Sequence, residues 1–412
     1  MAYSVLIVDD SSFFQQRLKD IVNSSAELKV IGIASNGQEA IEMADKLKPD
    51  VITMDYEMPM LDGVSALKAI LAKRYVPIVM LSSLTFEGAR ITLDALAAGA
   101  VDFIPKNFSE ISQNSSTLKQ KIHTTLITFA RQFKVKMAEQ CHSHAPNTVI
   151  PSARSASFSA TPIANNPTYQ ASTRRLSSPF VKPENSDGDL DKHYSSSAVL
   201  RSSSTVLSAT DNKNNDNATN AYLPRNATIL VIGASTGGPV AVNKVLESLP
   251  AGFALPIVVI QHMPANFTKA LAERLDRVCA LRAKEAENGD KLMPGLVLVA
   301  PGGQQLMFDP HNKGTVKILP GDDRVSYKPS VDIALASVAN AFGQQAFAII
   351  LTGMGADGCE GAKILKQKGG VLWSQNKDSC VVYGMPKAVA DAGLSDCVLT
   401  LEAMGTALNR RR

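Results

Sequence analysis

The stretch Ile229-Leu-Val-Ile-Gly-Ala-Ser-Thr-Gly-Gly238 decides the fold of the C-terminal half of this 412-residue chain. Its β-branched apolar run ends at Gly233, and two glycines then lead into a helical pattern that begins at Pro239. The pattern predicts a strand, a tight turn and a helix start, with Ser235 in the turn. Backbone N–H groups at the start of a helix can stabilise a developing oxyanion. A flexible glycine turn without chemistry explains the stretch equally well when it is taken alone.

Composition indicates a globular protein. The chain is 45% hydrophobic and 19% charged, and its length allows two or three domains. Its 42 basic and 38 acidic residues nearly balance, so no nucleic-acid partner is expected. The N-terminus lacks the features of a secretion signal and no apolar run reaches membrane-spanning length, so we expect a cytoplasmic protein that is not inserted in a membrane. The five cysteines form no CxxC pair and are expected to be reduced.

The chain divides into three segments, 1–130, 131–225 and 226–412. The middle segment is rich in serine, asparagine and threonine with scattered prolines, and few large apolar residues recur in it. Such a segment buries too little surface to offset its ordering entropy, which predicts a disordered linker. A flexible chain of roughly 80 residues has an end-to-end distance of about 50 Å. The two flanking segments can therefore touch or separate.

Residues 1–130 alternate apolar runs with amphipathic segments, which predicts a five-stranded, doubly wound parallel sheet. Polar residues stand at the carboxyl ends of the predicted strands; they are Asp9, Asp10, Asp55, Ser82 and Lys106. Carboxylates that meet at one sheet edge repel each other unless a hard cation such as Mg²⁺ neutralises them. The hydroxyl and the ammonium would then complete a phosphate site. Each charge alone is explained as a solvated loop residue, but their shared position favours a site.

Residues 226–412 again alternate strand and helix patterns, which predicts a second doubly wound, mostly parallel sheet. Three of its predicted strands are followed by residues able to do chemistry. Ser235 follows the first strand, His262 follows the second, and Asp357 follows the run Phe347–Leu351. Open α/β sheets place their sites at this edge. The sequence therefore predicts that the three side chains lie close together.

A serine, a histidine and an aspartate together would support acyl transfer. Ser235 becomes a good nucleophile when His262 takes its proton and returns it to the leaving alkoxide, while Asp357 holds the imidazole. Backbone N–H groups near Thr236 and Met354 are candidates for the oxyanion hole, where one donor is worth about 100- to 1,000-fold in rate. This reaction requires no metal and no other cofactor.

Each of these residues also fits a purely structural role. His262 fits a buried histidine at a strand end, and Asp357 fits a turn residue between glycines. The segment Gly233-Ala-Ser-Thr-Gly237 fits the nucleophile elbow of α/β-hydrolases, but that fold orders its triad serine, acid, histidine. A nucleotide-binding loop would need glycine where Ser235 stands. The coincidence of all three residues at strand ends favours the hydrolase.

Residues 1–130 carry four motifs: Val8-Asp-Asp10, Met54-Asp-Tyr-Glu-Met-Pro-Met-Leu-Asp-Gly63, Pro77-Ile-Val-Met-Leu-Ser-Ser83 and Asp102-Phe-Ile-Pro-Lys106. Through them the segment resembles a response-regulator receiver domain. The resemblance implies that Asp55 accepts a phosphoryl group and that Phe103 is the aromatic switch residue. Asn107 departs from the usual proline. The implied Mg²⁺ ligands are Asp10, Asp55 and the Glu57 carbonyl with Asp9 assisting, and the implied phosphoryl contacts are Ser82 and Lys106.

Motifs along nearly all of residues 226–400 resemble the catalytic domain of the chemotaxis response-regulator protein-glutamate methylesterases. The motifs are Gly233-Ala-Ser-Thr-Gly-Gly238, Gln261-His-Met-Pro264, Glu285-Ala-Glu-Asn-Gly-Asp290, Ala300-Pro-Gly-Gly303, Pro329-Ser-Val-Asp332, Leu351-Thr-Gly-Met-Gly-Ala-Asp-Gly358 and Tyr383-Gly-Met-Pro386. The nucleophile, base and orienting acid of the family fall on Ser235, His262 and Asp357. Gln305 stands where histidine is frequent, and Asn376-Lys377 replaces a more acidic stretch; both departures bear on the rim of the cleft.

The resemblance implies a monomeric bacterial enzyme that hydrolyses γ-glutamyl methyl esters on the cytoplasmic helices of chemoreceptors and deamidates glutamines there. Its phosphodonor would be the chemotaxis histidine kinase. The unphosphorylated receiver would cover the cleft, and phosphorylation would move it away. Two alternatives stay open: a phosphorylation-controlled module that only binds the receptor or kinase, and an esterase that acts on another protein or a small ester outside chemotaxis.

Overall fold

A computed structural model describes residues 2–106, 115–143, 221–322 and 324–410. Most of the predicted linker, and Asn107 beside the receiver motif, lie outside these ranges. Within them, no helix combines the length and the apolar character needed to cross a membrane.

The N-terminal part is a five-stranded parallel sheet with strand order β2-β1-β3-β4-β5, as the sequence predicts. Three of its helices begin at side-chain caps: Asn36, Asp62 and Thr85 each accept a backbone N–H of the first helical turn. The elements are β1 (Tyr3–Val8), α1 (Ser12–Asn23), β2 (Leu28–Ala34), α2 (Gly37–Leu47), β3 (Val51–Asp55), α3 (Gly63–Lys73), β4 (Ile78–Ser82), α4 (Phe86–Ala97) and β5 (Asp102–Pro105).

A long helix, α5 (Ser116–Ser143), follows this sheet and continues past residue 130, where the sequence places the end of the first segment. Leu126, Phe129, Ala130 and Phe133 are buried along it. Their spacing of three and four residues forms one apolar face, and this face joins the core that contains Val5 and neighbouring residues. The apolar face therefore extends the helix beyond the predicted boundary.

The C-terminal part is built on a seven-stranded sheet with strand order β14-β13-β12-β6-β7-β9-β8, and all its pairs are parallel. This confirms the predicted second doubly wound sheet. The strands are β6 (Ile229–Ala234), β7 (Ile257–Gln261), β8 (Arg282–Glu285), β9 (Leu296–Val299), β12 (Ala346–Ile350), β13 (Val371–Gln375) and β14 (Cys397–Leu399). The helices are α6 (Gly238–Glu247), α7 (Phe267–Val278), α8 (Val331–Phe342), α9 (Cys359–Gln367), α10 (Met385–Asp391) and α11 (Leu401–Leu408), with a short 3₁₀ turn at Gly343–Gln345.

Four strands of the C-terminal part were not predicted from the sequence. The edge strands β8 and β14 are short, and three of the four residues of β8 are charged. The other two, β10 (Gln304–Phe308) and β11 (Val316–Pro320), form a separate antiparallel pair. Short strands that carry polar residues give almost no periodic signal, because their pairing depends on distant backbone.

The stretch Ile229–Gly238 forms the centre of the large sheet. All six residues of β6 are buried, as expected for a central parallel strand covered on both faces. The chain then reverses through Gly237, whose φ of 73° favours glycine, and a Cβ there would lie 2.5 Å from Val381. Helix α6 begins at Gly238 with Pro239 in its first turn. The sequence pattern thus places Ser235 between the central strand and the helix.

Candidate active site

The three predicted residues follow three adjacent strands, because β6 pairs with β12 on one side and with β7 on the other. The Ser235 N–H donates to the Thr352 carbonyl across 3.1 Å, and the His262 N–H donates to the Ala234 carbonyl across 3.0 Å. These backbone bonds tie the turns after the strands to one another. The predicted convergence at the carboxyl edge is therefore present.

His262 and Asp357 are in direct contact. The histidine Nε2 lies 2.7 Å from Asp357 Oδ2, and both side chains are buried. The other ring nitrogen, Nδ1, is buried and forms no hydrogen bond to the described part of the chain. No hydrogen bond between the Ser235 hydroxyl and His262 is formed among these residues. Catalytic hydrogen bonds often tighten only when substrate is bound. An imidazole whose Nδ1 is available is therefore consistent with a base that accepts the serine proton in the substrate complex.

Asp357 lies in a cradle made by the start of α8. Its Oδ1 accepts the Ser330 hydroxyl and the Asp332 N–H, each at 3.0 Å, and its Oδ2 accepts the Val331 N–H at 2.7 Å as well as His262. Burial would raise the pKa of Asp357, but His262 and the backbone N–H groups outweigh it and lower the pKa to about 2. Asp357 is therefore an ionised acceptor that fixes the imidazole.

Asp332 makes the reciprocal contact with the next helix. Its Oδ1 accepts the N–H groups of Gly358 at 2.9 Å and Gly361 at 2.7 Å, at the start of α9. Burial, together with the charge of Asp357, raises the pKa of Asp332 to about 6. Each of the two helices is thus capped by a carboxylate from the other's N-terminal segment.

The turns after β6 and β12 carry the two backbone N–H groups that the sequence suggests as oxyanion donors. The backbone N–H groups of Thr236 and Met354 donate no hydrogen bond to another described residue. The turns are held firmly, because the Thr352 hydroxyl donates to the Thr236 carbonyl at 3.0 Å and accepts the Val382 N–H at 2.9 Å. Two available N–H groups on rigid turns are what an oxyanion hole requires.

Gly353 packs directly against Ser235. A Cβ placed on Gly353 would lie 2.8 Å from the Ser235 Cβ and 2.4 Å from the Met385 sulfur. Neither contact is tolerated without movement, and the serine backbone is itself bonded to this turn. The absence of a side chain at Gly353 therefore helps to fix the position of Ser235.

We predict that Gly353→Ala lowers kcat by about 100-fold, since a displacement of about 1 Å at a reacting group has that effect. Ester hydrolysis under saturating substrate measures it. Gly252→Ala is the matched control, because a Cβ there meets nothing within 4 Å. If both variants retain full kcat, Gly353 does not position the serine.

A second cluster of charged residues lies at the edge of the N-terminal sheet. Carboxylate oxygens of Asp9, Asp10 and Asp55 all lie within 4.8 Å of one another. Lys106 Nζ lies 2.7 Å from Asp9 and 2.6 Å from Asp55. Burial raises the pKa of Asp9, and it raises the pKa of Asp55 to about 6 against the opposing effect of Lys106. The predicted carboxylates and ammonium are thus together, and this set of oxygen donors suits a divalent cation.

The Ser82 hydroxyl is hydrogen-bonded away from this cluster, whereas Glu57 lines one cavity together with Asp10. The Ser82 hydroxyl is buried and accepts the Thr92 hydroxyl at 2.6 Å. It forms no hydrogen bond to Asp55 or Lys106 within the described ranges. Glu57 is exposed in the loop after β3. The contact of Ser82 with a phosphoryl group stays a prediction.

Residues of the N-terminal part contact the serine turn directly. The Thr236 hydroxyl, one residue beyond Ser235, donates to Asp102 Oδ2 across 3.1 Å. The ring of Phe103 stacks on Phe267 at the start of α7, with centroids 4.6 Å apart and planes 5° from parallel. Desolvation raises the pKa of Asp102. No sequence pattern pointed to the Asp102 contact.

Further contacts continue along α4 and α7. The Asn266 side chain donates to the Leu84 carbonyl at 3.0 Å, and Arg274 pairs with Asp94. Lys269 Nζ lies 5.5 Å from the centre of the Phe86 ring. Helix α7 of the C-terminal part therefore packs against the face of the receiver-like part that carries Phe103.

The comparisons with known proteins agree with this architecture. A family model of the response regulator receiver domain matches residues 5–115, and a model of the CheB methylesterase matches residues 230–408. The chain is thus a receiver domain joined to a methylesterase domain.

Full-length relatives match both parts at once. A protein-glutamate methylesterase/protein-glutamine glutaminase of Saccharophagus degradans is 50% identical over 402 residues, which cover 98% of this chain and 97% of the relative. One from Pseudomonas aeruginosa is 46% identical over 405 residues and 98% of each chain. The crystal structure of the Thermotoga maritima CheB methylesterase catalytic domain is 42% identical, with a TM-score of 0.42, and the match covers 44% of this chain and 97% of that one. On its full-length identity to these relatives, the chain belongs to the CheB methylesterase family.

Three residues at the site make contacts that the sequence did not predict. Ser330 donates to Asp357, and Gln305 is buried and bonded to the segment 327–330 instead of lying free at the cleft rim. Tyr327 stacks on the imidazole of His262. The motif Pro329-Ser-Val-Asp332 was the available signal, because it places a capping serine and an acid at a helix start.

Proposed function

We propose that the protein hydrolyses γ-glutamyl methyl esters on the cytoplasmic helices of chemoreceptors, releasing methanol, and deamidates receptor glutamines at the same site. The observation that carries this proposal is the His262–Asp357 pair at the strand ends beside Ser235, with the imidazole Nδ1 available. The names of the full-length relatives support the same substrate chemistry. Such a substrate places the reaction in the cytoplasm.

The reaction follows from the roles of the named groups. Ser235 Oγ attacks the ester carbonyl while His262 Nδ1 takes its proton, and the Thr236 and Met354 N–H groups stabilise the oxyanion. The tetrahedral intermediate collapses, and methanol leaves with the proton from His262. Water then attacks the acyl-enzyme, with His262 again as base, and releases the glutamate carboxylate and the free serine. A glutamine substrate loses ammonia in place of methanol.

Methanol release from methylated receptor fragments tests this activity. We expect wild-type protein to release methanol, and we expect Ser235→Ala or His262→Gln to reduce the rate by about 10⁴-fold or more, as loss of a triad member does elsewhere. Full activity in the Ser235→Ala variant would overturn the assignment.

The same assay separates the alternatives. Binding of receptor fragments without methanol release would favour the phosphorylation-controlled binding module. Hydrolysis of small esters without hydrolysis of receptor fragments would favour an esterase of another pathway.

We further infer that the receiver holds the esterase inactive until Asp55 is phosphorylated. Two contacts support this inference: Asp102 accepts the hydroxyl next to the nucleophile, and Phe103 stacks on Phe267. Mg²⁺ held by Asp9, Asp10, Asp55 and the Glu57 carbonyl would supply the positive charge that phosphoryl transfer to Asp55 needs. A phosphoryl group adds a charge of about −1.5 to −2, which Lys106 and Ser82 would contact. The histidine kinase of the same pathway is the expected donor.

The long segment between the two parts does not prevent such docking. Each doubling of a flexible loop costs only about 0.6 kcal/mol of closure free energy. The aromatic stack of Phe103 on Phe267 alone is worth about 0.5–1.5 kcal/mol beyond the area that it buries. The strength of inhibition therefore depends on the interface more than on the length of the connection.

Basal and stimulated methanol release test this regulation. A small phosphodonor with Mg²⁺ should raise the wild-type rate, and Asp55→Ala or removal of Mg²⁺ should abolish the increase without lowering the basal rate. Phe103→Ala should raise the basal rate roughly tenfold, because the lost stacking on Phe267 alone is worth up to about 1.5 kcal/mol, or about tenfold in the docking equilibrium.

Asp102→Asn has a matched control in Asp45→Asn, an exposed carboxylate on α2. We expect the first variant to raise the basal rate and the second to leave it unchanged. Equal stimulation of wild type and Asp55→Ala would contradict the proposed switch, whatever the basal rates are.

A further inference from the structure

Tyr327 covers one face of the imidazole of His262. The two ring centroids are 4.2 Å apart and the planes lie 9° from parallel. At its far end, the Tyr327 hydroxyl lies 3.0 Å from the position of a Cβ on Gly355, beside the turn that carries Met354. Tyr327 is 38% exposed, so part of the ring borders the cleft. One aromatic ring thus spans the histidine and the turn with the second oxyanion donor.

The side chain of Gln305 holds the backbone of the segment that carries Tyr327. The Gln305 side chain donates to the Tyr327 carbonyl at 2.7 Å and accepts the Ser330 N–H at 2.8 Å. Ser330 in turn donates its hydroxyl to Asp357 at 3.0 Å. A single buried amide therefore holds both the residue that stacks on His262 and the residue that bonds Asp357.

We propose that Tyr327 is a positioning residue for His262 in the methylesterase reaction, and that Gln305 holds it in place. The proposal rests on the proposed role of His262 as the base. A stacked ring fixes the plane of the imidazole, so that Nε2 stays on Asp357 and Nδ1 stays directed to its proton donor. The negative face of an aromatic ring also favours the imidazolium that forms during the reaction.

Within the described ranges, the titratable groups recorded next to the imidazole come from two segments, residues 327–332 and the turn that carries Asp357. Asp357 contacts Nε2, Tyr327 covers one face, and Asp332 lies behind Asp357 at the start of α8. Burial, with the charge of Asp357, raises the pKa of Tyr327, so the phenol remains neutral at the working pH. A neutral phenol places no negative charge against the imidazole, which is consistent with stacking of the two rings.

Two substitutions of Tyr327 distinguish the effect of its aromatic face from the effect of its hydroxyl and from the effect of covering the imidazole with any apolar side chain. Tyr327→Phe keeps the stack, whereas Tyr327→Leu covers the imidazole with an apolar side chain that has no aromatic face. We expect Tyr327→Phe to stay within about twofold of wild type and Tyr327→Leu to lose about 3- to 10-fold in kcat, the range that an aromatic pair is worth. KM should remain within about twofold in both, because the residue acts through His262.

The pH profile gives a readout that a purely structural role would not change. Without the aromatic face the imidazolium is less stable, so the acid limb of kcat/KM in Tyr327→Leu should move to lower pH by about 0.5 to 1 unit. Tyr327→Phe should keep the wild-type profile. The measurements use the full chain with Mg²⁺ and a phosphodonor, and methanol release as the signal.

Gln305→Met supplies an independent test, since it nearly preserves the side-chain volume but removes both hydrogen bonds of the side-chain amide. We expect the same loss in kcat with unchanged KM, in protein whose thermal unfolding shows it to be folded. The proposal is overturned if Tyr327→Leu matches wild type in kcat and pH profile, if Tyr327→Phe falls as far as Tyr327→Leu, or if only KM changes. His262→Gln in the same assay distinguishes the cases: if it is inactive while Tyr327→Leu is normal, the proposed function stands and only the positioning role fails.

Discussion

A single buried carboxylate, Asp357, joins the fold of the C-terminal domain to its chemistry. It accepts hydrogen bonds from Ser330, from two backbone N–H groups at the start of α8, and from His262. Because these donors hold the pKa of Asp357 at about 2, its contribution to stability is present above its unfolded pKa and is lost only as the pH falls towards about 2. The same bonds that cap the helix also orient the base, so the geometry of the site depends on the packing of α8 against α9.

The strand order places one short turn beside both His262 and the receiver. β6 lies between β12 and β7, so the turn that carries Ser235 lies between the turns that carry Asp357 and His262. Thr236 faces the receiver and bonds Asp102, while its N–H is available for the oxyanion. A receiver that engages Thr236 and stacks Phe103 on Phe267 therefore contacts the reactive turn itself and not a remote surface. This proximity is the physical basis for the proposed inhibition.

The sequence predicted the two parallel sheets and the convergence of Ser235, His262 and Asp357, because buried strands give continuous apolar runs and parallel sheets place their sites at one edge. It did not predict the contacts of Tyr327, and it placed Gln305 at the cleft rim and not beneath the segment 327–330. These contacts join residues 22 to 65 positions apart. The Asp102–Thr236 contact spans 134 positions and has no local pattern. Contacts of this kind follow from packing, which periodicity does not encode.

The protonation state of Asp357 tests this account most directly. Carboxyl carbon-13 resonances of labelled aspartates, with the Asp357 peak assigned by its loss in Asp357→Asn, can be followed against pH in the folded protein. We predict no titration step for Asp357 above about pH 3, in accord with a pKa of about 2, and an upward shift of that pKa in His262→Gln. A titration step between about pH 4 and 7 in the wild-type protein would contradict the claim that Asp357 is an ionised carboxylate that accepts four hydrogen bonds.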